Sequence, residues 1–281
     1  MPIDLDEYRK TSYETWDRIA PNWKSEREFL RAGSGVVSER LVVRLDPQPG
    51  DTVLELAAGP GDTGFLVASS IGESGRLIST DFAPSMVEVA RGAGAGLGLD
   101  NVEYRVLDAE NMDLDDSSVD RVVCRWGYML FADPAAALGE TRRVLKDDGR
   151  LAFAVWAAPE TNPWASIPGM VLVQRGHLPP PEPGAPGIFS MADPDRIRAL
   201  VTDGGFGEPE IEQVELSWPV TSADDHWNLM VMKLSGPLAD ALGRLGEDER
   251  EEIRSEVRSG IEPVIEEHGS LPGVTHVVTT S

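Results

Sequence analysis

Between about residues 50 and 160 the chain alternates short apolar segments with longer amphipathic ones, the pattern of repeated strand–helix units and a parallel sheet. The apolar segments are rich in Val and Leu, as strands buried on both faces should be. They are TVLELA, RLISTD, VEYRVLD, VDRVVCRW and RLAFAVW, and PEIEQVELSW and THVVTTS are two later strand candidates. The sequence therefore predicts an α/β fold with helices on both faces of a mostly parallel, seven-stranded sheet.

Composition along the chain predicts four parts. Residues 1–48, with YETWDRIAPNW, are expected to form an N-terminal helical lid segment, consisting of a short helix and a linker. Residues 49–157 and 193–281 are assigned to the sheet domain. Residues 158–192 are too rich in Pro and Gly to continue a sheet and are predicted to be an insertion with an extended, stiff piece. Residues 221–269 supply helical cap elements within the C-terminal part.

Charge and cysteine content exclude several classes of function. A formal net charge of -23 argues against nucleic acid as a partner, because polyanion binding needs clustered Lys and Arg. A single cysteine, Cys124, cannot supply a multi-cysteine metal site, and no metal is predicted. Since no signal-like or membrane-spanning apolar run is found, we expect a cytoplasmic protein without a membrane span. The oligomeric state stays open, with a homodimer among the options.

The stretch VLELAAGPGDTG, at the end of the first predicted strand, indicates a nucleoside ligand. In an open parallel sheet, ligands bind at the carboxyl ends of the strands. The glycines alone fit a dinucleotide, with Asp81 about 20 positions after Gly59 as the ribose-binding acid. Three features argue against a pyrophosphate, which needs hydrogen-bond donors and positive charge. They are Glu55 in front of the glycines, the lack of Arg or Lys between residues 53 and 74, and a third acid, Asp108. These acids favour a cationic ligand.

Four stretches occur in the order and spacing of a known family: VLELAAGPG, STDFAPSMVEVA, VLDAENMDL, and VDRVVCRWGYMLFADPAAALGETRRVLKDDGRLAFAVW. With them the chain resembles the class I S-adenosylmethionine-dependent methyltransferases, especially the branch of the ubiquinone and menaquinone biosynthesis enzymes. The resemblance implies a Rossmann-like sheet, S-adenosylmethionine as cofactor, S-adenosylhomocysteine as product, and an enzyme of the EC 2.1.1 type acting on a small molecule.

The same resemblance implies roles for residues at the strand ends. Glu55 would hold the methionyl ammonium directly or through water, Asp81 would accept the ribose hydroxyls, and Asp108 would accept from the adenine amino group. The remaining roles are close backbone approach for Ala57, Gly59 and Gly61, packing beside the adenine for Phe82, Met86 and the backbone of Ala109, and a position beside the methionyl end for Arg125 and Trp126. Phe82 and Met86 could instead be core residues.

Ala57 departs from the family pattern, which usually has Gly at this position. An alanine held at positive φ would cost roughly 1 to 2 kcal/mol. We therefore expect a negative φ for Ala57.

The acceptor is predicted to be small and apolar or aromatic. His177 and His226 are candidate general bases, with surface or packing histidines as the alternative. Aromatic residues that could line the acceptor pocket, or simply pack in the core, are Tyr13, Trp16, Trp23, Tyr128, Phe131, Trp156, Trp164 and Trp227. Two other functions stay open: an NAD(P)-dependent oxidoreductase that uses the same glycines, and a cofactor-binding relative without methyl transfer.

Overall fold

The computed structural model of the chain describes residues 4–182 and 184–281. Its strands are β1 Thr52–Leu56, β2 Arg76–Asp81, β3 Val102–Val106, β4 Val119–Arg125, β5 Leu145–Trp156, β6 Glu210–Trp218 and β7 Leu271–Thr280. The main helices are α1 Leu5–Ser25, α2 Arg27–Leu45, α3 Asp62–Ile71, α4 Pro84–Leu97, α5 Pro134–Val144, α6 Pro163–Gln174, α7 Pro194–Asp203, α9 Gly236–Gly243 and α10 Glu247–His268. Between α7 and α9 a short helix α8, Ala223–Asp225, leads into a π-helix, His226–Leu234.

All seven strands form one sheet in the order β3-β2-β1-β4-β5-β7-β6. Strands β1 to β5 pair in parallel, and β7 pairs antiparallel with both β5 and β6. The predicted seven-stranded, mostly parallel sheet is confirmed. Because β6 is parallel to β5, six strands present their carboxyl ends at the same edge of the sheet.

The strands form where short apolar runs can be buried from both faces. Four of the five residues of β1 and the last six residues of β5 are buried. Helix α2 packs across β4 to β7, α4 packs against β2 and β3, and α6 and α10 pack against β7. Helices on both faces are what removes these strands from water.

The N-terminal segment differs from the expected short helix and linker, because it consists of two long helices. Helix α1 has 21 residues and is preceded by the N-cap residue Asp4, whose side chain accepts hydrogen bonds from two first-turn amides. Helix α2 has 19 residues and buries Leu30, Val37, Leu41 and Leu45 against the sheet. Their spacing of four or seven positions is a helical stripe that aromatic content alone did not reveal.

The segment predicted as a Pro- and Gly-rich insertion contains a helix, α6, through Pro168. Proline inside a helix removes the amide that would bond to the carbonyl four residues earlier. Here that carbonyl, of Trp164, accepts instead from Nε2 of His226 at 2.7 Å. A side chain from the π-helix thus replaces the missing donor, which allows the helix to continue.

No helix in the described part of the chain is long and apolar enough to cross a membrane.

Two glycines of α2 provide a test of this packing. A Cβ at Gly33 would lie 2.2 Å from Cε3 of Trp218, whereas a Cβ at Gly35 would have nothing within 4 Å. Gly33→Ala should lower the free energy of unfolding by about 1–3 kcal/mol through overpacking. Gly35→Ala, the matched control, should raise it by up to about 1 kcal/mol because Ala favours helix. Urea unfolding measures both, and equal values for the two variants would contradict the packing of α2 on the end of β6.

Candidate functional site

The loop that follows β1 is held in a left-handed conformation at three positions. The φ angles are 49° at Ala57, 53° at Gly59 and 85° at Gly61. The expected negative φ at Ala57 is therefore wrong. The loop is fixed from outside: the amide after Ala57 donates to the Thr80 carbonyl at 2.9 Å, and a Cβ at Gly127 would meet the Ala57 methyl at 2.8 Å. Tertiary contacts thus hold a conformation that alanine alone would avoid.

Glu55 is 2% exposed and connects three elements. One carboxylate oxygen accepts from the amide of Gly64 in α3 at 2.7 Å, and the other accepts from the hydroxyl of Ser79 in β2 at 2.8 Å. Burial raises the pKa of Glu55 to about 7, with the two hydrogen bonds opposing the rise. A Cβ at Gly64 would lie 2.1 Å from the carboxylate, so the glycine is needed for this approach.

Asp81 ends β2 and holds the glycine loop from the neighbouring strand. Its two oxygens accept from the amides of Gly59 and Ala83, each at 3.0 Å. Burial raises the pKa of Asp81 to about 6. The carboxylate therefore lies directly beneath the glycine loop.

Two charged residues that were not predicted from the sequence, Asp62 and Arg27, lie beside the glycine loop. Asp62, the first residue of α3, is 8% exposed, and its Oδ1 lies 2.6 Å from Nη2 of Arg27 in α2. Asp62 stands inside the quoted stretch, next to Gly61, so its position was readable from the sequence. The pairing with Arg27 was not, because no local pattern brings α2 over the loop.

The structure separates the acid after β3 from the buried acids. Asp108 is exposed, and its Oδ1 accepts from the Glu110 amide at 2.9 Å, while Ala109 is buried. Glu110 receives two bonds from Arg9 of α1, at 3.0 and 2.7 Å. This end of the edge is therefore partly covered by the N-terminal helix.

Helix α1 also covers the loops after β1 and β2. Met86 is 2% exposed and packs with Ile19 of α1, and the half-buried Phe82 has the ring of Tyr13 edge-on at 5.9 Å. Trp23 has its ring 3.9 Å from where a Cβ of Gly59 would lie. Trp16 contacts Trp23 edge-on, with the ring centroids 5.4 Å apart. Three of the predicted N-terminal aromatic residues thus lie over the loops.

The end of β4 carries Arg125 and Trp126. The guanidinium of Arg125 donates to the hydroxyl of Ser34 in α2 and lies 5.0 Å from the Trp126 ring. Burial lowers the pKa of Arg125, while the charges of Asp62 and Glu55 oppose the change. Trp126 has φ 64°, an outlier for a bulky residue, and its indole NH donates to the Thr275 hydroxyl at 3.1 Å.

Four tryptophans form a cluster beyond Arg125. Trp126 stacks on Trp156 with ring centroids 4.2 Å apart, Trp164 meets Trp156 at 4.8 Å, and Trp218 meets Trp164 at 5.6 Å. The sequence analysis named Trp126, Trp156 and Trp164. It missed Trp218, although the rule that strand ends form the site applies to the last residue of β6 as well.

Other predicted aromatic residues lie in the core. Tyr128 is fully buried, and its hydroxyl is bonded to that of Thr141 in α5 at 2.6 Å. Phe131 contacts the Tyr128 ring edge-on at 5.3 Å, and Trp227 is 5% exposed. The burial of Tyr128 and Trp227 fits the alternative that these residues pack in the core.

Neither candidate histidine is placed to take a proton in the site. His226 is fully buried, its Nε2 is bonded to the Trp164 carbonyl, and burial lowers its pKa to about 4. His177 follows the far end of α6, a helix about 18 Å long, and its Nε2 lies 3.1 Å from Glu249 Oε1. Neither position supports a role as general base.

Comparison with known proteins gives consistent results. A model of a methyltransferase domain family matches residues 47–166. A demethylmenaquinone methyltransferase of Clavibacter sepedonicus is 34% identical over 228 residues, which cover 81% of this chain and 84% of that protein.

A second relative is the ubiquinone/menaquinone biosynthesis C-methyltransferase of Acidiphilium cryptum. It is 34% identical over 150 residues, covering 53% of this chain and 59% of that protein, so this match spans less than two thirds of the relative. Among solved structures, the YcgJ protein of Bacillus subtilis superposes with a TM-score of 0.57 at 16% identity, covering 86% of this chain and 96% of that one. This likeness shows the fold alone.

The strained alanine can be tested by comparison with its neighbour. Replacing Ala57 with Gly should leave the free energy of unfolding unchanged or raise it by up to about 1 kcal/mol, since relief of the left-handed strain offsets the added freedom of the unfolded chain. Ala58→Gly, at a neighbouring residue outside the left-handed region, should lower it by about 1 kcal/mol. Urea unfolding of both variants decides, and an equal loss in both would argue against strain at Ala57.

Proposed function

The chain belongs to the class I S-adenosylmethionine-dependent methyltransferases of the ubiquinone/menaquinone C-methyltransferase type, and from this premise we propose that it methylates a small, apolar or aromatic acceptor. The observation that carries the proposal is the edge where a glycine loop meets buried carboxylates on one side and a tryptophan cluster on the other. The first half suits a cationic nucleoside, and the second suits an apolar acceptor.

The residues present fit the cofactor of this family. Gly59 and Gly61 have no side chain to block an approach to the loop, and both have the positive φ that only glycine adopts without strain. We propose that Asp81, below this loop, accepts the ribose hydroxyls. Glu55, which is 2% exposed, would supply negative charge to the methionyl ammonium directly or through water.

The adenine end of the proposed site is built from β2, β3 and α1. Phe82 and Met86 would flank the base, as the family resemblance implies, and the packing of α1 on both residues closes the site from outside. Asp108 is exposed and could accept from the adenine amino group, with the backbone of Ala109 beside it. Arg125 and Trp126 would lie beside the methionyl end.

In this reaction the protein would mainly position the methyl acceptor relative to the cofactor. The bound cofactor supplies an electrophilic methyl group, and transfer is an in-line displacement, so the protein must align the acceptor and exclude water. Helix α1 and the indole rings of Trp126 and Trp156 provide apolar walls for this purpose.

A nicotinamide dinucleotide is disfavoured by a charge that sequence analysis did not use. Asp62 stands at the start of α3, where a pyrophosphate would need the helix amides and positive charge. Its carboxylate is buried beside the loop, so the loop offers a phosphate two acids, Glu55 and Asp62. Arg27 is already paired with Asp62, and Arg125 interacts with both acids.

Calorimetry with S-adenosylhomocysteine and with NADH tests the assignment. We expect binding of the sulfur ligand and none of NADH. Asp81→Asn should weaken S-adenosylhomocysteine binding by about 2–3 kcal/mol, through loss of charge-assisted hydrogen bonds. Asp113→Asn, whose side chain is fully exposed, is the control and should bind normally. Tight NADH binding with no response to the sulfur ligand would reject the proposal. If S-adenosylhomocysteine binds, incubation with a methyl-labelled donor and an acceptor library tests for turnover.

The raised pKa of Glu55 predicts proton release on binding. In the free protein its pKa is about 7 against an ordinary 4.5, so Glu55 is mostly protonated at pH 6.5. A bound ammonium nearby favours the charged carboxylate, which must then lose its proton. Titration calorimetry at pH 6.5 in phosphate and in imidazole, two buffers with different ionisation enthalpies, should show release of most of one proton with S-adenosylhomocysteine. The same comparison at pH 8.5, in buffers of that range, should show little release.

The variant Glu55→Gln controls this measurement, because an amide has no proton to lose. The number of protons released on binding S-adenosylhomocysteine at pH 6.5 should fall sharply in this variant. If the release persists unchanged, the proton comes from another group, such as Asp81, whose pKa is also raised, to about 6.

A further inference from the structure

Strand β3 lies at one edge of the sheet and has a free hydrogen-bonding side. In the part of the chain that the structure describes, only β2 pairs with it, and the pairing is parallel. At the two ends of the strand, Asn101 and Leu107 bond to β2 through main-chain groups. Because such bonds alternate along a strand, the main-chain amides and carbonyls of Val102, Tyr104 and Val106 point away from β2.

This free side of β3 has little cover among the described residues. The Tyr104 carbonyl accepts from Nη2 of Arg91 in α4 at 3.4 Å, a long hydrogen bond from a half-exposed side chain. Val106, at the end of the strand, is 55% exposed. An edge that is unpaired and partly apolar is a template for pairing with another strand.

The opposite edge of the sheet, strand β6, is protected by charge. It carries Glu210, Glu212 and Glu215 and no basic residue. Two copies of β6 placed side by side would bring together three carboxylates from each, and repulsion of this kind prevents edge pairing. Strand β3 has no such protection, because its one acid, Glu103, and its one base, Arg105, cancel.

The sequence of β3, VEYRV, is complementary to itself in the antiparallel sense. If two copies pair about Tyr104, valine opposes valine at both ends of the strand. Between them, Glu103 of each copy opposes Arg105 of the other, at the non-hydrogen-bonded positions where side chains are closest. The match ends beyond the strand, since continued pairing would bring Asp100 opposite Asp108.

Charge makes this edge the favourable place for two copies to meet. The chain has a formal net charge of -23, so most of its surface repels a second copy. Beside β3 the charges alternate and balance: Arg76 of β2 pairs with Glu103, and Arg105 lies 3.9 Å from Asp113. Repulsion between two copies is therefore weakest where the two β3 strands would meet.

Helix α4 leaves room for a second copy. It packs against both β2 and β3, so the α4 helices of two paired copies would lie about 10 Å apart, an ordinary spacing for packed helices. Its exposed residues include Gly92, Ala95 and Gly96, which add little bulk. Arg91 keeps its own partner, because its Nε lies 3.3 Å from Oε1 of Glu88.

We propose that the β3 edge binds a second copy of this chain, with the two β3 strands antiparallel and a two-fold axis at Tyr104. The sheet then continues through the dimer, with seven strands from each copy. Since the two β3 strands run in opposite directions, the edges at which ligands would bind face away from each other. Neither copy completes the other's site, so the inference does not rest on the proposed function.

Sedimentation velocity of the full chain over a hundredfold range of concentration tests the proposal. We expect the mass to rise reversibly from that of one chain to that of two. Glu103→Arg and Arg105→Glu each place like charges opposite each other at both positions, so each variant should weaken the dimer about tenfold or more. The double variant, with both substitutions, restores opposite charges and should dimerise again.

A mixture of the two single variants tests the antiparallel arrangement directly. One variant then has arginine at both positions and the other has glutamate at both, so every opposing pair in the mixed dimer is complementary. We expect the mixture to dimerise at a concentration where neither single variant does. Glu215→Arg, on the β6 edge, is the control and should dimerise as the unaltered protein. Circular dichroism of each variant shows whether it is folded.

Hydrogen exchange of the unaltered protein provides a test that needs no variant. The amides of Val102, Tyr104 and Val106 should exchange about tenfold more slowly at concentrations where the dimer predominates, because pairing removes them from water.

Four results would overturn the proposal. They are a monomer at every concentration, a dimer that folded single variants leave unchanged, folded double and mixed variants that do not dimerise, and exchange in β3 that does not depend on concentration. Loss of the dimer in Glu215→Arg alone would assign the interface to β6 instead.

Discussion

The site depends on one buried carboxylate. Glu55 accepts from the amide of Gly64 and the hydroxyl of Ser79, and its main-chain carbonyl accepts from the hydroxyl of Thr80 at 2.7 Å. Strand β1, strand β2 and the first turn of α3 are thereby fixed to one another. The glycine loop lies between these elements, so its left-handed geometry follows from the position of its two ends. Donors on both oxygens offset part of the cost of removing the carboxylate from water, and the raised pKa of Glu55 shows that burial outweighs them.

Sequence analysis found the elements whose patterns are local. The central strands β1, β2 and β4 and the second half of β5 are short, largely apolar runs, and a buried parallel sheet leaves that signature directly in the sequence. The acids Glu55 and Asp81 were found because strand ends share an edge. Helix α2 was missed, since its stripe of Leu and Val is diluted by two glycines and four arginines.

What sequence analysis could not supply was contact between distant segments. Ala57 accepts a left-handed φ because of Thr80 and Gly127, and neither contact leaves a trace near Ala57 in the sequence. His226 resembled a base, but it compensates for Pro168, 58 positions earlier, by donating to the carbonyl that this proline leaves unpaired. A histidine that satisfies a backbone group and one that transfers a proton have the same sequence signal. Burial separates them, because a side chain fully removed from water stays neutral.

The placement of the tryptophans has a spectroscopic consequence. Of the seven in the chain, four form the cluster beside Arg125, and Trp16 and Trp23 stand at the glycine loop. Only Trp227 lies apart from these two groups. Indole emission responds to the polarity and charge around the ring, so the intrinsic fluorescence of this protein mainly reports the state of the edge where ligands would bind. A change in emission on adding a ligand therefore reports an event at this edge without the need for a label. If the helical content stays constant, the change is not caused by unfolding.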